Sequence, residues 1–198
     1  YKCQECGFKS SNWMGRCTEC GTWNSFLEID NGEKERDHRN INKDIFPSPI
    51  TEVNPGTYTR CQTGIDELDR VLGGGIVKGS LILLGGAPGI GKSTLILQVA
   101  FLFSSTYGKV LYVSGEESNS QIKLRAERLK TLHDNLLVIS ASEYSKIASI
   151  IDNQQELKLI IIDSIQTIYN SKIESAPGSI NQVKEISNKL ANFAKTSE

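Results

Sequence analysis

The sequence predicts an α/β domain with a mainly parallel sheet, preceded by a small four-cysteine module. Three observations lead there. From about Val53 onward, short apolar runs alternate with amphipathic stretches, the pattern of strands and their covering helices. The run LILLGGAPGIGKST, Leu81 to Thr94, breaks from an apolar strand into a glycine-rich loop and then a helix. Ahead of both, residues 1–29 hold four of the five cysteines as two C-x-x-C pairs.

Taken in order, residues 1–29 form one compositional unit with two tryptophans and several small polar residues. Residues 30–54 are polar, contain DNGEKERDHRN, Pro47 and Pro49, lack an apolar period and read as a linker. Residues 55–198 make up the α/β domain. Its expected strands are 81–85, 110–114, 136–139 and 159–163, whose near-continuous apolar character suits strands covered on both faces. Helices fill the intervals. One follows the glycine-rich loop to about Ser104, with Leu95, Ile96, Val99 and Phe103 as its apolar face. A second starts near Ser118, where Gln121 signals a capping box, and carries Ile122, Ala126 and Leu129 at helical spacing. A third covers about 143–156. The last begins near Ser179, again with Gln182 three residues on, and buries Val183, Ile186, Leu190 and Phe193. No internal repeat is visible.

Composition bounds the partners. Net charge is −1, and no segment carries the basic excess that announces a nucleic-acid surface, so charge lends a DNA partner no support. No run approaches the roughly 18 apolar residues of a membrane span. The N-terminus is polar and cysteine-rich, unlike a signal peptide. The chain starts at Tyr1 without a methionine and stops at Glu198 inside an apparent helix, so it reads as a fragment at both ends.

The glycine-rich loop has the spacing G-x-x-x-x-G-K-S across Gly86, Gly91, Lys92 and Ser93, that of a phosphate-binding (Walker A) loop. Its glycines let the backbone curl so that successive N–H groups point at phosphate oxygens. The positive end of the following helix adds to that field. Gly86, Ala87, Pro88, Gly89, Ile90, Gly91, Lys92, Ser93 and Thr94 are therefore the expected nucleotide-binding residues. Lys92 places a charge on the β and γ phosphates, and the Ser93 hydroxyl can ligate Mg²⁺. An ordinary glycine-rich turn is the bland alternative; the apolar strand before and apolar helix after argue against it.

A triphosphatase also needs a second acid for Mg²⁺ and a group that orients water. Asp163 ends the apolar strand LKLIIID, the Walker B position, with an N-cap aspartate as the alternative. Glu116 and Glu117 follow the strand VLYVSG, and strand C-termini line the ligand crevice of a parallel sheet. One of the two is the candidate for activating water; a solvated acidic pair opening the next helix is the alternative.

Cys3-x2-Cys6 and Cys17-x2-Cys20 stand ten residues apart, and four thiolates so spaced can converge on Zn²⁺. A module this short buries too little apolar surface to fold unaided, so the metal supplies folding energy. Two disulfides are disfavoured beside an intracellular-type nucleotide loop, and an iron–sulfur cluster is weaker still. Four cysteines leave no open position, so the zinc is structural. Trp13, Trp23 and Phe26 are expected to form the small core, with a base-stacking platform as the alternative. Cys61 is expected to pack in the core, and His38 and His133 to lie on the surface.

Together these pieces resemble the RadA (Sms) family of bacterial DNA repair proteins, relatives of the RecA recombinases. The resemblance rests on YKCQECGFKSSNWMGRCTECGTWNSF, TGIDELDRVLGGGIVKGSLILLGGAPGIGKSTL, VLYVSGEES, LIIIDSIQT and SAPGSINQVKE, and covers the chain except the linker. It implies a RecA-like P-loop ATPase core, DNA-dependent ATP hydrolysis, and branch migration during RecA-mediated strand exchange. It further implies single-stranded and branched DNA and a RecA-type recombinase as partners, a homo-hexameric ring, and a bacterial cytoplasmic location. Glu116 aligns with the catalytic glutamate, Asp163 with Walker B, and Cys3, Cys6, Cys17 and Cys20 with the zinc ligands. Gln166 or Thr167 is aligned with a γ-phosphate sensor. The family's K-N-R-F-G motif, its Lon-protease-like domain and the last strands of its core would lie beyond Glu198. A nucleotide-gated interaction protein, and a clock-type or replicative-helicase relative, are the competing readings.

Overall fold

The computed structural model describes residues 1–10, 12–27, 47–53 and 59–196. The chain divides into two compact units, Tyr1–Asn54 and Pro55–Glu198. Most of the expected linker, 30–46 and residue 54, lies outside the described residues. Its described part, 47–53, holds an exposed 3₁₀ turn at Ile50–Glu52.

In the first unit, β1 (Lys2–Cys3) pairs antiparallel with β2 (Phe26–Leu27). A module of this size has few residues to bury. Cys3, Cys17 and Phe26 form the centre, flanked by Tyr1, Phe8 and Met14, with Phe8 edge-on to Phe26 at 6.4 Å. Trp13 and Trp23 do not join it: they are 55% and 68% exposed. The expectation is corrected for the two tryptophans and holds for Phe26: the small centre is already filled by Cys3, Cys17 and Phe26, with Cys6 and Cys20 exposed.

The second unit opens on a hairpin that periodicity did not reveal. Its strands β3 (Arg60–Cys61) and β4 (Ile76–Val77) are antiparallel and enclose α1 (Asp66–Val71). Two-residue strands carry too little alternation to read. Buried Asp69 closes the segment by accepting from the Thr63 amide at 2.8 Å. Gly75 is required here: at φ 127° an added Cβ would stand 2.5 Å from the Cys61 carbonyl oxygen.

Then follow α2 (Lys92–Tyr107), β5 (Val110–Ser114), α3 (Asn119–Leu129), β6 (Leu136–Ser140), α4 (Tyr144–Asn153), β7 (Leu159–Asp163) and α5 (Ile180–Thr196). The three long strands form one parallel sheet in the order β6-β5-β7. Central β5 is buried throughout. Its Val110 and Tyr112 face a core built with Leu97, Ala100 and Phe103 of α2 and Ile122 and Ala126 of α3. Its Leu111 and Val113 face Ile147 and Ile151 of α4, Ile168 in the loop after β7, and Ile186 of α5. Two covered faces explain why the strand reads as hydrophobic from Val110 to Val113.

The capping box of α3 forms as expected, with Ser118 and Gln121 exchanging hydrogen bonds. That of α5 forms by half. The Gln182 amide donates to Ser179 Oγ at 3.4 Å, but its side chain is buried against the loop before the helix. Gln182 Oε1 accepts from the Asn170 amide, and Nε2 donates to the carbonyls of Asn170 and Ser175. Satisfying a buried loop backbone outweighs the local cap.

One expected strand is absent. Residues 81–85 pair with nothing among the described residues, and Leu81, Ile82, Leu83 and Leu84 are 40–84% exposed. An apolar run becomes a strand only when a neighbour offers its N–H and C=O groups, and the described sheet ends at β7. No described helix is long and apolar enough to cross a membrane.

Candidate nucleotide site and metal centre

The glycine-rich loop leads straight into α2, whose N-cap is Gly91 at φ 102°, with Gly89 at φ 78°. Space is not what excludes a side chain there, since an added Cβ would meet nothing within 4 Å at either position. The left-handed backbone is the constraint. Lys92 Nζ curls back to donate to the carbonyls of Gly86 at 2.8 Å and Ala87 at 2.9 Å. Leu95 is the first helical residue whose amide returns to the loop, bonding Gly91 O at 2.9 Å. The amides of Lys92, Ser93 and Thr94 therefore have no intrahelical acceptor, as at any helix start. The Ser93 hydroxyl makes no hydrogen bond among the described residues. An ammonium, free amides and an unengaged hydroxyl at one helix end suit an anion with a bound cation.

Helix α2 packs on β7 and β5, and those strands deliver the acids. Asp163 ends β7 opposite Ser114 of β5. Tyr112 donates its hydroxyl to Asp163 Oδ2 at 2.6 Å, and Arg125 Nη2 donates to the same hydroxyl oxygen at 3.1 Å. Burial, then the bond to Asp163, push the Tyr112 phenol well above its ordinary range. The Asp163–Ser164 peptide is cis.

The two glutamates have different surroundings. Both backbone amides donate to Ser114 Oγ, at 3.3 Å for Glu116 and 2.9 Å for Glu117, which ties the turn to the strand end. Glu117 Oε2 lies 2.7 Å from Arg125 Nη2 in a half-buried ion pair. Glu116 is exposed and meets no cation among the described residues; it accepts from Ser164 Oγ at 2.8 Å. Gly115 makes the crossing possible, since an added Cβ would overlap Thr167 Oγ1. Thr167 donates to Ser164 O at 2.8 Å within the short 3₁₀ helix Ile165–Thr167, while Gln166 is exposed.

Four residues here escaped sequence reasoning. Ser114 and Ser164 read as strand-end polar residues, and Arg125 as a charge on a helix face. Tyr112 did carry a signal: a tyrosine inside a run of buried apolar residues must find a partner for its hydroxyl.

The cysteines converge. All four Sγ atoms of Cys3, Cys6, Cys17 and Cys20 lie within 4.8 Å of one another, with Cys3–Cys20 and Cys6–Cys17 at 3.6 Å. Disulfide sulfurs stand at about 2.05 Å, and sulfurs around tetrahedral zinc at about 3.8 Å, so the spacing fits the metal. Each pair sits on a tight turn: Gly7 N donates to Cys3 O and Gly21 N to Cys17 O, with both glycines left-handed. The Ser25 hydroxyl, with the Cys6 amide after it, lowers the Cys3 thiol to about 6, while Cys6, despite the Phe8 amide, is raised to about 12 by burial and its three neighbouring sulfurs.

Of the remaining candidates, Cys61 is half-buried and packs against the α2-side core, as expected. His133 is half-buried rather than superficial, accepting from the Asn135 amide at 3.2 Å and meeting Phe101 edge-on. His38 lies outside the described residues.

Comparison with known proteins bears on both units. Residues 51–197 match the family described as AAA domain, and residues 1–28 the rubredoxin metal binding domain. The chain belongs to the AAA domain family. It couples an ATP-binding AAA domain to a four-cysteine zinc site in a rubredoxin-like module. It is 45% identical over 199 residues to the DNA repair protein RadA of Bacillus subtilis (strain 168), covering 98% of this chain and 43% of that protein. RadA of Helicobacter pylori (strain J99) is 44% identical, with 99% and 44% covered. RadA of Aquifex aeolicus (strain VF5) is 43% identical, with 98% and 43% covered. The chain thus spans less than half the length of these relatives, and the family read from its motifs is borne out.

Proposed function

We propose that this chain is the nucleotide-hydrolysing part of a DNA-dependent ATPase that acts on recombination intermediates in the bacterial cytoplasm. The observation that carries the reading is the pairing of strand ends: exposed Glu116 after β5 and Asp163 at the end of β7, joined through Ser164. In this reading the amides and glycines from Gly86 to Thr94 cradle the triphosphate, and Lys92 leaves its loop carbonyls for the β and γ phosphates. Ser93 and Asp163 would hold Mg²⁺, which when bound draws charge off the phosphates. Glu116 orients the attacking water and takes its proton, while Glu117 is already spent on Arg125. Thr167, packed on Gly115, couples the γ-phosphate end to the strand.

Single-stranded and branched DNA, a RecA-type recombinase, branch migration and a homo-hexameric ring come from the resemblance to RadA. Two exposed tryptophans give the zinc module a partner-contacting surface, with the Arg16 guanidinium 5.7 Å from the centre of the Trp23 ring.

The test is ATP hydrolysis with and without single-stranded DNA, for the parent and Lys92→Ala. DNA should stimulate turnover and Lys92→Ala should abolish it. Equal hydrolysis by the two proteins rejects the site. Tight ATP binding with no turnover in any extended form of the chain would favour a nucleotide-gated interaction protein instead.

A further inference from the structure

We propose that Tyr112 is a positioning residue for the metal-binding carboxylate: it holds Asp163 by Oδ2 and leaves Oδ1 for a nucleotide-bound divalent cation, with Arg125 and Glu117 fixing the direction of its hydroxyl. The inference rests on the reading of Asp163 as a Mg²⁺ ligand and deepens it.

The hydrogen positions follow from chemistry alone. A guanidinium has donors and no acceptor, so Arg125 Nη2, 3.1 Å from the phenol oxygen, must donate to it. The phenol has one hydrogen, and an ionised carboxylate can only accept. That hydrogen therefore goes to Asp163 Oδ2, 2.6 Å away. Donation from a cation polarises the O–H and strengthens the bond it makes. Asp163 Oδ1 accepts no hydrogen bond among the described residues.

Packing shows that the hydroxyl is not needed for the core. The Tyr112 ring is wholly buried among Leu97, Ala100, Phe103 and Ile122, where phenylalanine would fill the same space without a polar atom to satisfy. Glu117 completes the device. Its carboxylate, 2.7 Å from Arg125 Nη2, keeps the guanidinium from swinging onto Asp163 and neutralising the metal ligand directly.

The test is Tyr112→Phe in this chain, read as equilibrium binding of a fluorescent ATP analogue titrated with Mg²⁺. The Mg²⁺ concentration for half-maximal binding should rise about 10- to 100-fold, as when a group that orients a metal ligand is lost. Binding of the analogue without metal should not change. In an Asp163→Asn background, Tyr112→Phe should add nothing, because it acts through that carboxylate. An unchanged Mg²⁺ half-saturation, or an equal shift in both backgrounds, overturns the positioning role. Should Tyr112→Phe fail to fold, Arg125→Gln carries the same test, since it frees the hydroxyl's direction and should shift the Mg²⁺ requirement the same way. If the unsubstituted chain shows no Mg²⁺-dependent nucleotide binding, the nucleotide site itself falls, an outcome separate from failure of the Tyr112 variant.

Discussion

Ser164 Oγ donates to Glu116 Oε1 across 2.8 Å, linking the residue after β7 to the turn after β5. The bond ties an exposed carboxylate to the end of the strand that carries Asp163, and no cation among the described residues stands beside it. Glu117, its neighbour in sequence, is drawn the other way onto Arg125. Adjacent glutamates thus receive opposite assignments from their partners.

Substitution separates them. Glu116→Gln should lower ATP turnover by about 10²- to 10⁴-fold, the usual worth of a general base, with nucleotide affinity retained. At saturating Mg²⁺, Glu117→Gln should keep turnover within tenfold of the parent, its effect through Arg125 falling on the Mg²⁺ requirement instead. It should also lower stability by about 1–2 kcal/mol, because the half-buried Arg125 loses its counter-charge. Steady-state kinetics and urea unfolding measure the two effects. A reversed pattern would transfer the catalytic role to Glu117.

Gly115 should tolerate no side chain. In Gly115→Ala the new methyl overlaps Thr167 Oγ1, so the turn or the 3₁₀ helix must shift. Overpacking of this kind costs about 1–3 kcal/mol. Because the displaced segment carries Ser164, the drop in unfolding free energy should come with a loss of turnover. Full activity in a stable Gly115→Ala protein would show that the strand-end contact is dispensable.

The zinc module has its own reporter. Both tryptophans of the chain, Trp13 and Trp23, belong to it, so intrinsic tryptophan fluorescence follows this module alone. Purified protein should contain one zinc per chain. A strong chelator should remove it and change the fluorescence, while the helical signal of the AAA domain persists. Elemental analysis that finds iron in place of zinc would refute the metal assignment.

Gln182 is the strongest stability prediction in the AAA domain. Gln182→Leu preserves bulk but leaves the buried Asn170 amide and the Ser175 carbonyl without the partner they have here, while the Asn170 carbonyl keeps the Ile173 amide. The loss should be about 2–3 kcal/mol in urea unfolding, well beyond that of a surface helix substitution.

Much of this was legible in linear order. Strands 110–114 and 159–163 read true because each lies between two covered faces, so every residue but the last is hydrophobic. The cysteine pairs read true because a turn of fixed size sets the spacing of their sulfurs. The tryptophans misread because their bulk suggests a core, whereas Cys3, Cys17 and Phe26 already fill the small centre. The run 81–85 misread because strand pairing is a property of two segments, and only one was visible.

By itself, then, the sequence determined what depends on neighbours in the chain: the left-handed glycines of the phosphate loop, the alternation of strand and helix, and the paired thiols. Tertiary structure alone decided which glutamate is free, that a strand tyrosine grips Asp163, and that Gln182 serves a distant loop. Those outcomes are set by contacts between residues up to 51 positions apart, and local patterns of hydrophobicity hold no record of which polar groups will meet once the chain closes on itself.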